Sequence, residues 1–102
     1  MLRRTEEPLF RTTQDLLELR RWAEARAARP HRQESTGRLA LAVPGGSGGR
    51  EVGWEEFEPA FRALGQVCVY DGAPGACRSF IGSPEEALRF LRAAVDAMES
   101  IR

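Results

Sequence analysis

Apolar positions recur along this chain with two distinct periods. Leu16, Leu19, Ala23 and Ala27 follow the three-to-four-residue spacing of one helix face, and Trp22 widens it. Thr12 or Thr13 can cap this helix with Asp15 in its opening turn, and Pro30 stops it after about Ala28. Residues 30–37 are polar and read as a turn. From Leu39 the period changes to two: Leu39, Leu41 and Val43 share one face of a strand, with Ala40 and Ala42 on the other. Trp54, Phe57, Phe61 and Leu64 mark a second helix, in which Pro59 predicts a kink or a restart. Residues 66–71 (QVCVYD) and 77–81 (CRSFI) read as strands joined by the turn residues Asp71-Gly72-Ala73-Pro74-Gly75, hence an antiparallel hairpin. Ser83, Pro84 and Glu86 form a capping box with proline at the first helical position. The helix that follows carries a stripe of Leu88, Leu91, Val95 and Met98, broadened by Ala87, Phe90, Ala94 and Ile101.

The predicted order is α-β-α-β-β-α. Three strands cannot close a barrel, and the apolar helix faces need a sheet to cover. A small two-layer α+β domain follows, with a three-stranded sheet, a C-terminal hairpin and helices packed on it. If the first two strands are neighbours, the helix between them makes a right-handed parallel crossover. Residues 1–11 read as a flexible N-terminal arm and residues 12–102 as one domain. Pro44-Gly45-Gly46-Ser47-Gly48-Gly49 reads as a mobile connector; it lacks the Lys-Ser/Thr of a phosphate loop.

A length of 102 residues suits one domain, and 42% hydrophobic with 29% charged residues is ordinary for a globular chain. No run approaches the ~18 apolar residues of a membrane span. The 15 basic residues are all arginine and balance 15 acidic ones. A formal net charge of zero does not point to nonspecific nucleic-acid or membrane binding. Without lysine there is no Schiff-base chemistry and no P-loop lysine. The N-terminus lacks the apolar stretch of a secretion signal, and the two cysteines then imply a reducing cytoplasm with free thiols.

Three constellations carry candidate chemistry. The end of the first helix gathers Arg21, Trp22, Arg26 and Arg29. An indole beside guanidiniums can hold an anion, a base or a partner, although the helix dipole alone also favours cations there. Cys68 and Cys77 would lie directly opposite one another in a hairpin centred near Gly72-Ala73, close enough for a reducible disulfide; a shift of one residue removes that pairing. His31, the single histidine, sits beside a proline in the predicted turn with no third residue to orient it. The Trp54, Phe57, Phe61 stripe reads as core rather than a partner groove. No metal site and no cofactor are implied.

Arg21-Trp22-Ala23-Glu24 with Arg26, Arg29 and Pro30 forms an R-W-A-E-x-R-x-x-R-P helix end. It is followed by a G-x-L-x-L strand (Gly37, Leu39, Leu41, then Pro44 and Gly45) and a W-x-E-F-x-x-x-F helix (Trp54, Glu56, Phe57, Phe61). With Tyr70 and Arg78-Ser79-Phe80, this series over residues 12–81 resembles a group of short, functionally uncharacterised bacterial proteins. The chain departs from the group at Ala27-Ala28, where paired glycines are common, and at Pro59. The resemblance implies no catalytic residue.

The functional expectation is a small cytosolic, non-catalytic binding or accessory domain. It would act through a protein partner or as a homo-oligomer, since a three-stranded sheet leaves two edges to cover. A nucleic-acid or anion-binding module at the arginine-rich helix end is the first alternative, and a thiol-dependent redox enzyme the second.

Overall fold

The computed structural model describes residues 9–43 and 49–101. In chain order they form β1 (Phe10–Thr13), α1 (Leu16–Ala25), β2 (Arg29–Arg32), β3 (Leu39–Ala42), β4 (Arg50–Glu51), α2 (Trp54–Ala63), β5 (Val67–Asp71), β6 (Ser79–Gly82) and α3 (Pro84–Ile101). The α+β class is as predicted, but the strands divide into two antiparallel sheets, ordered β1-β5-β6 and β3-β2-β4. β3 lies beside β6 where the sheets meet, and Arg38 spans the junction, its Nη2 donating to the Ile81 carbonyl at 3.4 Å. β3 and β5 therefore belong to different sheets, and no parallel crossover forms.

Three strands were not expected: β1, β2 and the two-residue β4. β1 takes in Phe10 and Arg11, which the sequence assigned to a flexible arm, and pairs Thr12 with Val69 and Thr13 with Cys68. Residues 1–8 of that arm lie outside the described residues. β2 takes the first part of the predicted polar turn, pairing with β3 on one side and β4 on the other, while residues 34–36 turn as expected. Pro30 lies one residue into the strand, where its carbonyl still accepts from Val52 N–H at 2.9 Å and only its missing donor is lost.

The Thr12-Thr13 pair cannot cap α1 because both belong to the β1 ladder. Asp15 caps instead, its Oδ1 accepting from Leu17 N–H at 3.0 Å and Glu18 N–H at 3.4 Å. Thr13 Oγ1 accepts from Asp15 N–H at 2.9 Å, which fixes the strand-to-helix corner. The helix stops at Ala25, earlier than predicted. Ala28 N–H returns to the Ala23 carbonyl at 2.8 Å and Ala27 N–H to Glu24 at 3.3 Å, the two bonds of a Schellman cap. That cap places Ala27 at φ 58°, in the left-handed region. Ala27 is consequently exposed rather than part of the core face, whereas Leu16, Leu19, Trp22 and Ala23 are buried.

α2 runs unbroken through Pro59, contrary to the expected kink. Glu55 and Pro59 both face outwards, so the missing bond falls on the exposed side of the helix. Phe57 and Phe61 enter the core, while Leu64 at the helix end is exposed. Alternation along the β5–β6 ladder sends Cys68, Tyr70 and Ile81 to the face that joins α1, α2, Leu39 and Val52 in one core. Val69 and Phe80 face the other side, where α3 crosses β5 and β6. Phe90 stacks on Phe80 at 5.0 Å and meets Phe10 edge-on at 5.7 Å. The predicted capping box forms reciprocally, Ser83 N–H to Glu86 Oε1 at 2.9 Å and Glu86 N–H to Ser83 Oγ at 3.1 Å. The bond from Ser83 holds the Glu86 carboxyl below its ordinary range.

Of the glycine-rich connector, residues 44–48 lie outside the described residues. Gly49 has φ 104°, and a Cβ there would come within 2.6 Å of the Arg32 carbonyl oxygen, so only glycine fits.

A left-handed alanine is strained where glycine would not be. Ala27→Gly is expected to stabilise the fold by about 0.5–1 kcal/mol despite glycine's larger unfolded-state entropy. Urea unfolding at equilibrium measures this.

Candidate functional site

The predicted anion site at the end of α1 does not assemble. Trp22 is buried, and its indole N–H donates to the Asp71 carbonyl at 2.8 Å. Arg26 lies over the Trp22 ring at 4.7 Å. Its Nε donates to the Ala76 carbonyl, its Nη2 to Ala73 at 3.1 Å and its Nη1 to Trp22 at 3.2 Å. Those bonds bind the β5–β6 loop to α1 and leave Arg26 few donors for a ligand. Arg29 has moved onto β2, where it pairs with Glu51 at 3.1 Å, and Arg21 is exposed. The four residues thus serve different purposes.

Glu18 receives two side-chain hydroxyls, Thr13 at 2.8 Å and the Tyr70 phenol. Burial and the adjacent Glu18 carboxylate push the Tyr70 hydroxyl above its ordinary pKa. Cys68 lies beneath this group with its side chain in the core, opposite Ile81 rather than Cys77. Cys77 precedes β6 and is exposed. Both thiols are free. The predicted pairing fails because β6 begins at Ser79, so the loop holds Cys77 outside the ladder. Burial raises the Cys68 thiol from its ordinary 9.0 to about 12, with the Glu18 charge adding to the effect. Such a thiol is a poor nucleophile at neutral pH. His31 lies in β2, half-buried, with Nδ1 3.0 Å from the Arg29 carbonyl oxygen. Among the described residues, no group of three His, Cys, Asp or Glu is placed to hold a metal.

Two surface features remain. A cleft of about 630 Å³ lies between the end of α1 and the start of α2, lined by Glu24, Arg29, Glu51, Trp54 and an apolar floor that includes Ala28 and Val52. Its rim charges are already matched: Glu24 to Arg20 and Arg29 to Glu51, each at 3.1 Å. Arg20 also covers the Trp54 ring at 5.3 Å.

The second feature is the outward side of α3. At 100° per residue, Phe90, Ala94 and Ala87 span about 60°, and Leu91, Val95 and Leu88 the adjoining 60°. Only the first sector is seated on the sheet. Ala87 and Ala94 are 3% and 4% exposed, against 50% for Leu88 and 43% for Val95. The predicted stripe is therefore displaced: Leu88 and Val95 look outwards, Leu91 is half-buried, and the small Ala87 and Ala94 pack inwards. Met98 and Ile101 carry no described side chains. Sequence periodicity located this apolar arc but could not reveal which half the protein would cover. Sheet edges, the expected contact sites, are less open than foreseen. β3 flanks β6, and the outer strand β1 is four residues long and carries Arg11.

The chain matches no protein-family model, no curated protein and no solved structure.

Three outcomes are expected. Trp22→Phe leaves the Asp71 carbonyl without its indole donor and destabilises by about 1–3 kcal/mol, measured by urea unfolding. A thiol reagent modifies one cysteine, Cys77, in the native protein and the second only after denaturation. The raised Cys68 pKa also sets a pH dependence. Below about pH 9 the thiol is protonated in both states and contributes no slope. Between about 9 and about 12 the unfolded chain loses the proton first, so stability falls as pH rises. Tyr70 adds loss of the same sign above its ordinary value of 10.0. Cys68→Ala should flatten the decline between pH 9 and 10, read by unfolding at each pH.

Proposed function

We propose that this chain is a small cytosolic, non-catalytic binding domain that acts through protein contacts, with the outward face of α3 as the contact surface. One observation carries this reading: the apolar arc of α3 is wider than the sheet it covers. A single exposed leucine is ordinary in a folded protein. Leu88, Leu91 and Val95 are contiguous along one helix, and such a patch marks an interaction site. Its spacing of three and then four residues suits packing against another helix.

The alternatives draw less support. An anion or nucleic-acid site needs arginines with free donors, and Arg26 is tied to three carbonyls while Arg29 is paired. A thiol enzyme needs an accessible, acidified cysteine, and Cys68 is neither. The exposed Cys77 has its sulfur beside the Gly75 carbonyl, with no arginine or histidine bonded to it among the described residues. Two unpaired thiols support a reducing compartment. No described helix is long and apolar enough to cross a membrane.

Sedimentation velocity of the wild type, alone and with any polypeptide that copurifies, tests the reading against the double variant Leu88→Glu, Val95→Glu. Both positions are exposed, so the unfolding midpoint should stay within about 3 °C. Complexes of the wild type should weaken at least ~10-fold in the variant. Complexes that persist unchanged would place the contact surface elsewhere, and a wild type that forms none would remove the reading.

A further inference from the structure

Resting on the reading that α3 presents a protein-contact face, we infer that its occupant is a second copy of this chain, with the two α3 helices antiparallel. The argument comes from charge. A shallow groove of about 260 Å³ on this side of α3 is lined by Leu91, Arg92, Val95 and Asp96. Arg92 and Asp96 stand one helical turn apart at its border, and among the described residues neither has an ion-pair partner. Arg11, Arg21, Arg62 and Arg89 likewise have no ion pair among the described residues, so what sets Arg92 and Asp96 apart is their order beside an exposed apolar strip.

The order of these charges discriminates between arrangements. Two copies of α3 packed parallel and in register set Arg92 against Arg92 and Asp96 against Asp96, which is repulsive. Antiparallel packing about a two-fold axis near the middle of the groove sets Arg92 against the partner's Asp96, and the reverse, giving two symmetric ion pairs. The same alignment leaves Leu91 of each copy about 3 Å along the axis from the partner's Val95, within side-chain reach in an antiparallel helix pair. It also sets the sequence position of Arg89 against that of Glu99. The helix is its own complement in this one orientation. α3 has 18 residues, a length of about 27 Å, so the seam spans several turns.

A contact along one helix pair is small, and a reversible dimer with a dissociation constant on the order of 10–100 µM is expected. The experiment is a sedimentation concentration series on four proteins: wild type, Arg92→Asp, Asp96→Arg and the double reversal R92D/D96R. These positions are exposed, and far-ultraviolet circular dichroism confirms that each variant folds. The expected result is a wild-type dimer, single reversals weakened at least ~10-fold, and the double reversal restored to within ~3-fold. A restored double reversal is specific to the antiparallel arrangement, because parallel packing leaves like against like in all four. A dimer that is lost in Leu88→Glu, Val95→Glu but indifferent to charge reversal would overturn the antiparallel arrangement. A wild type that stays monomeric at about 500 µM, yet holds another polypeptide through Leu88 and Val95, would overturn self-pairing and leave α3 as the contact surface. A dimer that survives Leu88→Glu, Val95→Glu would overturn both.

Discussion

A buried indole N–H pointing at a strand carbonyl, Trp22 to Asp71 at 2.8 Å, joins the first helix to the central strand of its sheet. Trp22 cannot be buried without a partner for that donor, so the bond sets both the rotation and the height of α1 on the sheet. Asp71 organises the same region through its carboxylate, which accepts from Leu9 N–H at 3.0 Å and Ala73 N–H at 2.9 Å. One residue thus ties together β1, β5, the β5–β6 loop and α1. The core of Leu16, Leu19, Phe57, Phe61, Cys68 and Ile81 assembles beneath that junction.

The composition acquires a physical meaning in this setting. Every basic side chain is a guanidinium, which offers five donors in a plane and an apolar face. Arg26 uses both, stacked on Trp22 while bonding to loop carbonyls. Arg38 faces the Phe80 ring at 5.5 Å and pairs with Glu86 at 3.5 Å. Arg78 lies near both Phe10 and Phe90, at 5.4 and 5.3 Å. These three arginines fasten a loop, a sheet junction and a helix to the rings beneath them. Trp22, Arg26, Phe57, Phe61 and Tyr70, all prominent in the sequence, belong to this framework.

Covering α3 follows from the dimensions of the sheet beneath it. β5 and β6 are five and four residues long and present Val69 and Phe80 upwards, flanked by Phe10. So short a platform seats one narrow side of an 18-residue helix. Alanines at 87 and 94 let α3 approach closely, and Phe90 fills the remaining gap by stacking on Phe80. With those three directed inwards, the helical repeat forces Leu88 and Val95 out to the side.

Features confined to a few neighbouring residues could be read from the chain. The capping box at Ser83–Glu86, the Phe57–Phe61 stripe and the β5–β6 hairpin each follow from local spacing and turn chemistry, and each is present. β1 and β2 were hidden because Phe-Arg-Thr-Thr and Arg-Pro-His-Arg show no alternation. β1 becomes a strand through a partner far along the chain, Thr13 with Cys68, and β2 through pairing on both sides, His31 with Ala40 and with Glu51. The commitment of Arg26 was equally invisible, since it depends on the Ala73 and Ala76 carbonyls brought in from afar. α1 ends on a local cap, but at an alanine where glycine is the usual signal. Periodicity states how much apolar surface a helix carries. Which part of it meets a sheet is a matter of what else has folded nearby, because burial is a property of two surfaces and the sequence of one helix describes only its own.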